Sequence, residues 1–312
     1  MAVMKTSISW TDSTWNPTTG CTKVSEGCKF CYAEALVHRW GDDFAVVKMH
    51  ANRLAQVAQF VPLKGEDGTL RPRRVFVNSM SDLMHEQVTD AFRSQCFDAM
   101  ESAPQTIMQV LTKRPMTLKR VISERYKGRG VPPHIWLGVS VEDNRVRGRV
   151  DELRRLKDMV GDFTAFLSVE PLIGATDLHD YTGIEQVLIG GESGPYARDM
   201  AISWPRESRY LARRAGAAVW FKQFGKWSNN PLYRQSNAES HLDRVRHTIA
   251  AGEQKAWLVE RVTKPKDGSK GKPYLAVAGE KGGATLDGEV LHEYPPHYHR
   301  LARELAGQPA LV

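Results

Sequence analysis

The sequence predicts an α/β fold: a partial (β/α) barrel of about six or seven parallel strands, followed by a small carboxyl-terminal α+β appendage. Three observations lead to this prediction. Short apolar, β-branched runs recur from about residue 75, and helical stretches separate them. Their polar ends lie about 24 to 33 residues apart, which is the length of a βα unit. Every run ends in hydroxyl, amide, carboxylate or amine side chains, as strands do around an active-site rim.

Six runs are predicted to be buried parallel strands because they are almost continuously apolar. In chain order they are VFVNSMSD (75–82), IMQVLTKR (107–114), IWLGVSVE (135–142), FLSVEPL (166–172), QVLIGGES (186–193) and AVWFKQF (218–224). A doubly wound sheet has the same alternation of strand and helix, but the polar end of every run favours the partial barrel. Between the first two runs, Val88, Phe92, Cys96 and Met100 recur at steps of four, so Cys96 is predicted to be a core residue.

The pattern changes after residue 226, which divides the chain into a barrel over 1–226 and an extension over 227–312. In the extension, WLVERV and YLAVAG are predicted strands, and the Lys- and Gly-rich segment KPKDGSKGKP is a flexible turn between them. A glycine-punctuated loop then precedes a final short helix. We expect this extension to be a lid or an interaction segment.

Composition restricts the class of protein. Of 312 residues, 41% are hydrophobic and 25% are charged, which is typical of a globular protein. No run approaches the roughly 18 apolar residues of a membrane helix, and the first residues lack the apolar segment of a secretory signal. A cytoplasmic protein is therefore expected. Lys and Arg number 43 against 36 Asp and Glu, and the net charge of +7 favours an anionic partner such as a nucleic acid or nucleotide.

The strongest chemical signal is a group of three cysteines in NPTTGCTKVSEGCKFCYAEAL at 16–36. Cys21, Cys28 and Cys31 have the spacing C-x6-C-x2-C. Structural zinc normally takes four protein ligands, whereas a [4Fe-4S] cluster held by three cysteines keeps one iron open for chemistry. The three cysteines are therefore predicted metal ligands, and 16–36 is predicted to be a cluster loop.

This loop resembles the cluster loop of the radical S-adenosylmethionine (radical SAM) superfamily, because Phe30 stands where that superfamily has an aromatic residue between its second and third cysteines. The run NP..GC together with CKFCY is especially similar to the spore photoproduct lyase branch. Over nearly its full length, the chain also resembles a phage-associated three-cysteine family of unknown function. That likeness extends through NSMSDL, LTKRP, GVSVE, SVEPL, GGESG, FKQFG and GGATLDG.

The resemblance implies an enzyme that binds a [4Fe-4S] cluster and S-adenosylmethionine and takes one electron from an external donor. The electron breaks a carbon–sulfur bond of S-adenosylmethionine and forms a 5′-deoxyadenosyl radical. This radical abstracts hydrogen from a substrate. The GGE letters at 190–192 follow a later strand than in the superfamily, so the amine of the cofactor is expected near Ser79, Ser81 and Asp82. The predicted cofactor contacts are Phe30, Tyr32, Ser79, Ser81, Asp82, Ser140, Glu142, Glu170 and Glu192. The predicted contacts to an anionic substrate are Lys113, Arg114, Lys222 and Gln223.

Two other functions are compatible with the sequence. In the first, a zinc-binding nucleic-acid module completes the three cysteines with His38 or His50. That module leaves the array of strands and helices unexplained. In the second, the barrel holds the cluster but has lost cofactor cleavage, and the protein is a catalytically silent scaffold or sensor. The identity of the substrate and the catalytic residues do not follow from the sequence.

Overall fold

Seven parallel strands form one sheet that curls into a half barrel, as the sequence predicts. The computed structural model describes residues 6–194, 196–226, 229–230, 258–262, 273–277 and 283–308. The strands lie across the sheet in chain order, and each pairs in parallel with the next. In chain order the strands are β1 (Ser13–Trp15), β2 (Arg73–Val77), β3 (Thr106–Thr112), β4 (Ile135–Ser140), β5 (Ala165–Val169), β6 (Gln186–Gly190) and β7 (Ala218–Gln223).

The six predicted runs correspond to β2 through β7, and the strand without a predicted run is β1. It has only three residues, Ser, Thr and Trp, which is too short for a recognisable apolar run. Its place is set by pairing with β2, where Ser13 stands opposite Val75 and Trp15 opposite Val77. This pairing brings the start of the predicted cluster loop, residues 16–36, to the edge of the barrel.

Six α-helices lie in the described ranges, and the second to fifth of them pack on the convex face of the sheet. They are α1 (Tyr32–Arg39), α2 (Asp90–Glu101), α3 (Pro115–Tyr126), α4 (Gly148–Val160), α5 (Ser203–Arg214) and α6 (Pro296–Leu305). Helix α2 begins after Thr89, whose hydroxyl accepts a hydrogen bond from the Phe92 N–H at 3.2 Å. Cys96 lies on its buried face with no exposed surface, which confirms the predicted core position. Within the described ranges, no helix is long and apolar enough to cross a membrane.

Short 3-10 helices and two-residue strands lie outside the seven-stranded sheet. The 3-10 helices are Glu26–Cys28, Ala51–Gln59 and Asn144–Val146. Two antiparallel pairs of two-residue strands join Thr18–Thr19 to Lys48–Met49 and Leu63–Lys64 to Leu70–Arg71. The first pair fixes the chain immediately before Cys21.

Alternate residues of each strand enter two different cores, because successive side chains point to opposite faces of a sheet. Val75 and Val77 of β2 pack with the helices in the main core. The intervening Phe76 faces the concave side, where it joins an aromatic cluster with Trp10. This concave cluster, which we call the barrel floor, consists of Trp10, Phe76, Ile107, Trp136, Phe166, Leu188, Trp220, Tyr298 and Leu301. Its last two members come from α6, so the final helix closes one side of the half barrel.

The carboxyl-terminal extension contains the two predicted strands. Strands β8 (Leu258–Val262) and β9 (Pro273–Val277) pair antiparallel, with Glu260 opposite Leu275. The predicted turn between them, at 263–272, lies outside the described residues. The predicted final helix is α6. The division of the chain at residue 226 and the role of the extension as a lid or interaction segment stay predictions.

Candidate active site

A cavity of about 610 Å³ lies at the carboxyl ends of the strands. All three motif cysteines line it, together with most of the predicted site residues. The predicted residues in its wall are Cys21, Cys28, Phe30, Cys31, Tyr32, Ser79, Ser81, Asp82, Lys113, Arg114, Ser140, Glu170, Glu192 and Lys222. Glu142 and Gln223 stand behind this wall and reach it through their neighbours. The cavity extends down to Trp10 and Phe76 of the barrel floor.

The cysteine loop, residues 20–31, is held in place by backbone contacts at its start. Gly20 has a φ of 88° and donates its N–H to the Met80 carbonyl at 3.2 Å. A Cβ at this position would lie 2.2 Å from the Val46 carbonyl oxygen, so the turn requires glycine. The N–H of Cys21 donates to the Phe44 carbonyl at 2.8 Å. The first cysteine is therefore positioned by the backbone.

Cys21 is the cysteine whose electrostatic surroundings are best defined. Burial and then the charge of Asp82 raise the pKa of its thiol to about 11, while Arg114 acts in the opposite direction. A guanidinium N–H of Arg114 lies 3.5 Å from the sulfur. Cys28 is close enough for its charge to act on Cys21 as well. Coordination to a metal would keep this half-buried thiol deprotonated.

Neither of the two histidines that could complete a zinc site lines the cavity with the three cysteines. Among the side chains of the described ranges, no three His, Cys, Asp or Glu residues are arranged to hold one metal ion. His50 forms a hydrogen bond with the Thr19 hydroxyl at 2.8 Å, and His38 is exposed on α1. Three cysteines of a [4Fe-4S] site each bind a different iron, so their sulfurs are spread more widely than around one ion. The three thiols of the cysteine loop are the number and type of protein ligand that such a cluster takes.

Two asparagines that sequence analysis missed form the edge of the cavity after β1 and β2. Asn16 donates to the Ser79 hydroxyl at 3.1 Å and accepts from the Met80 N–H at 3.0 Å. Asn78 has a φ of 66°, and its amide nitrogen donates to the hydroxyls of Thr18 and Ser81. Its Oδ1 is buried without a hydrogen-bond partner. The asparagine directly after a predicted strand was the available signal, since asparagine tolerates this left-handed conformation.

The predicted residues beside Asn78 differ in how many of their hydrogen-bonding atoms are already used within the protein. The Ser81 hydroxyl donates to the Thr18 carbonyl at 2.8 Å, and Tyr32 donates its hydroxyl to the Ser79 carbonyl at 2.6 Å. Asp82 accepts from the Thr112 hydroxyl at 2.7 Å and from a guanidinium N–H of Arg114 at 3.2 Å. The oxygens of Asp82 are thus occupied by the protein itself.

Three carboxylate–arginine pairs surround the cysteine loop. The first is Asp82 with Arg114. In the second, Glu142 accepts from Arg149 at 3.0 Å and from the Ser25 hydroxyl of the loop at 2.8 Å. A Cβ at Gly27 would lie 2.3 Å from the Glu142 side chain, which shows how closely the loop covers this carboxylate. The sequence assigned Glu142 to the cofactor, and the structure places it under the loop.

The third pair is formed by Glu192 and Arg198. Arg198 donates to the Glu192 carboxylate at 2.6 Å and to the Glu26 carbonyl of the loop at 2.8 Å. Its guanidinium also lies 5.4 Å from the centre of the Phe30 ring. Arg149 and Arg198 are not among the predicted site residues, because they come close to the loop and its carboxylates only in the folded chain.

Another charged pair lies in the cavity wall, after β5 and on β7. Glu170 forms an ion pair with Lys222 and accepts from the Gln223 amide at 3.1 Å. The Lys222 ammonium lies 5.8 Å from the centre of the Trp10 ring. Ser140 and Ser168 complete this wall. Lys113, which also lines the cavity, lies 4.0 Å from a carboxylate oxygen of Glu142.

Aromatic side chains with cationic neighbours lie at the mouth of the cavity. The rings of Phe30 and Tyr196 are 5.9 Å apart, and the Lys29 ammonium lies 5.5 Å from the Phe30 centre. Tyr196 is 72% exposed, and Trp40, which lines the cavity, is 68% exposed. Tyrosine and tryptophan rings exposed at the mouth of a cavity are available to contact a partner or ligand.

A match to one solved structure supports the half-barrel fold. A single-substitution mutant of spore photoproduct lyase aligns with a TM-score of 0.50 and 12% identity, covering 72% of this chain and 79% of that chain. A double mutant of the same lyase, with bound AdoMet and dinucleoside spore photoproduct, aligns with a TM-score of 0.45 and 12% identity, covering 89% of this chain and 72% of that chain. No curated protein matches the sequence.

The family described as "Protein of unknown function (DUF5131)" matches residues 5–295, which is nearly the whole chain. That span includes the cysteine loop, all seven strands of the half barrel and the cavity between them. The protein with this half barrel and three-cysteine cavity therefore belongs to the DUF5131 family.

Proposed function

We propose that the protein is a radical SAM-type enzyme in which Cys21, Cys28 and Cys31 hold a [4Fe-4S] cluster. The observation that supports this most directly is the position of the three cysteines, which line one cavity with the polar strand ends of a half barrel. Once reduced by an external donor, such a cluster supplies the electron for cleavage of S-adenosylmethionine to methionine and a 5′-deoxyadenosyl radical. Three thiolates leave one iron open for this cofactor.

The residues after β2 are the proposed contacts for the amine of the cofactor. Asn78 has a buried Oδ1 without a hydrogen-bond partner, and it lines the cavity. An ammonium donor would satisfy this acceptor, which is otherwise costly to bury. Ser79, whose side chain lies at the same edge, is the second proposed contact. Asp82 is a less suitable contact, since Arg114 and Thr112 already use its oxygens.

The cavity wall formed by the ends of β4, β5 and β7 is proposed to hold the rest of the cofactor and the reacting part of the substrate. Ser140 and Ser168 are buried hydroxyls on this wall, and Glu170 with Lys222 adds a fixed pair of charges. Trp10 and Phe76 close the cavity from below and exclude water. Exclusion of water protects a reactive radical from side reactions.

The proposed substrate is a nucleic acid or nucleotide, acted on in the reducing cytoplasm. The net charge of +7 attracts phosphates, and Lys29 stands at the mouth beside Phe30 and Tyr196. Aromatic rings next to cations are the usual means of binding an unpaired base and its phosphate. The exposed Trp40 adds a further surface for stacking.

Metal and sulfide content of protein purified without oxygen tests the proposed function. About four iron and four sulfide per chain are expected, followed by 5′-deoxyadenosine when the reduced protein receives S-adenosylmethionine. The Cys28→Ala variant is the control and should give neither result. Stoichiometric zinc without sulfide would refute the proposal in favour of a zinc module. Iron and sulfide without 5′-deoxyadenosine would identify the protein as a catalytically silent cluster-binding barrel.

A further inference from the structure

We infer that Arg114 and Asp82 set the reduction potential of the cluster through Cys21, with opposite signs. The inference rests on the proposed function, because it concerns the cluster that Cys21 would help to hold. Sequence analysis assigned Arg114 to an anionic substrate. Its contacts in the folded chain point instead toward the cysteine loop.

Every N–H donor of Arg114 has an acceptor within the protein. The guanidinium donates to the Cys21 sulfur at 3.5 Å, to the Asp82 carboxylate at 3.2 Å and to the Glu86 carboxylate at 3.2 Å. Its other terminal nitrogen donates to the carbonyl and the hydroxyl of Thr22, at 3.1 and 3.0 Å. Five donors in a rigid fork are thereby used, and the guanidinium cannot turn toward a ligand without breaking them.

The pair lies where a charge acts strongly on a neighbouring redox group. The side chains of Arg114 and Asp82 are only 9% and 7% exposed, so water screens them weakly. An N–H donor to a cysteine sulfur withdraws negative charge from it, and hydrogen bonds of this kind raise the potential of iron–sulfur sites. A nearby cation stabilises the additional electron in the same way. Asp82 has the opposite effect, because its negative charge opposes uptake of an electron.

Arg198 provides a matched comparison within the same chain. Like Arg114, it pairs with a carboxylate and donates to the cysteine loop. Its contact in the loop is the backbone carbonyl of Glu26, whereas Arg114 contacts a cysteine sulfur directly. A change in Arg198 therefore tests the effect of loosening the loop, and a change in Arg114 tests the effect of the sulfur contact.

The test is the midpoint potential for one-electron reduction of the cluster in full-length protein, measured by dithionite titration and followed by electron paramagnetic resonance. Arg114→Gln should disfavour reduction by about tenfold, which is about 59 mV for a one-electron couple. Asp82→Asn should shift the potential in the opposite direction. Arg114→Lys keeps the charge but loses the fork, so its shift should be smaller than that of Arg114→Gln. Arg198→Gln removes a more exposed cation that has no contact with a cysteine sulfur, so its shift should be clearly smaller than that of Arg114→Gln.

Iron and sulfide content, measured on the same samples, separates the possible failures. Wild-type protein without iron and sulfide would refute the proposed function and this inference with it. This inference alone would be overturned if the wild-type protein holds the cluster but Arg114→Gln and Asp82→Asn shift its potential in the same direction or leave it unchanged. An equal shift in Arg198→Gln would overturn it too. If Arg114→Gln loses its cluster, Arg114→Lys and Asp82→Asn decide the outcome.

Discussion

The four cysteines occupy two different environments. Cys21, Cys28 and Cys31 are partly exposed in the cavity, whereas Cys96 is fully buried on α2. We expect Cys96→Ala to retain its iron and sulfide and to lose about 1–2 kcal/mol of stability through the small cavity it creates. Alanine at any of the other three should abolish iron binding. Iron assay and urea unfolding of the four variants check this, and loss of iron from Cys96→Ala would contradict the ligand assignment.

Gly20 is the residue whose replacement should disturb the cysteine loop most directly. Gly20→Ala places a Cβ 2.2 Å from the Val46 carbonyl oxygen, at a φ of 88°. The loop must shift, so we expect loss of cluster binding and about 2 kcal/mol or more of stability. Gly41→Ala is the matched control, because its φ is 79° and its Cβ would have open space. Metal content and thermal unfolding of both variants give the comparison, and equal effects would exclude the steric explanation.

At the scale of elements, the cysteine loop is fixed by the ends of strands on both sides of it. The first carboxylate–arginine pair follows the ends of β2 and β3, the second lies after β4 and in α4, and the third follows β6. Each pair donates to or accepts from the loop. A loop with little regular structure of its own is thereby placed by the rigid barrel, as is common for functional loops.

Glu142 is predicted to be the most important of these carboxylates for stability. Its side chain and that of Arg149 are 2% and 9% exposed, so Glu142→Gln leaves a buried guanidinium without its counter-charge. We expect a loss of about 3 kcal/mol. Glu152→Gln on α4 is the control; its partners Lys119 and Arg155 are more exposed, and the cost should stay below about 1 kcal/mol. Urea unfolding of both variants measures the difference, and similar costs would contradict the prediction.

Asp12 connects the start of β1 to β2 and makes this contact dependent on pH. Burial by itself would raise the pKa of its carboxyl, but hydrogen bonds and charge from Arg74 and Arg71 lower the pKa to about 2, against an ordinary 3.8. A lowered pKa in the folded state stabilises the protein above about pH 4, by up to about 2 kcal/mol, and this contribution is lost as the pH falls toward 2.

The Asp12→Asn variant tests that contribution. At pH 6 the free energy of unfolding of the variant should be lower than that of the wild type by the whole contribution of the ion pair. The difference should shrink between about pH 4 and pH 2. Asp98→Asn changes an exposed carboxylate on α2 and should keep the acid profile of the wild type. Urea unfolding at several pH values measures both. A difference that stays constant with pH would contradict the assigned ion pair.

At the scale of the whole molecule, excess positive charge and the cavity mouth together predict binding of nucleic acid. Affinity for a single strand should fall with salt, with a slope of about −0.7 per phosphate contacted. Lys29→Ala, at the mouth beside Phe30, should reduce the slope by about one contact. Lys127→Ala follows the far end of α3 and should leave the slope unchanged. Fluorescence anisotropy at several salt concentrations measures this, and no binding at low salt would refute the proposed substrate class.

The sequence by itself determined the parallel half barrel, six of its seven strands, the core position of Cys96 and the rim on which the polar residues gather. These features follow from local patterns, namely apolar runs, helical periodicity and the position of polar residues after a strand. The tertiary structure decided which of those polar residues face the cavity and which support the loop. Arg114 lies 93 positions from Cys21 in the chain, and Glu142 lies 117 from Ser25. Contacts over such separations depend on how strands and loops pack, so no local pattern in the sequence specifies them.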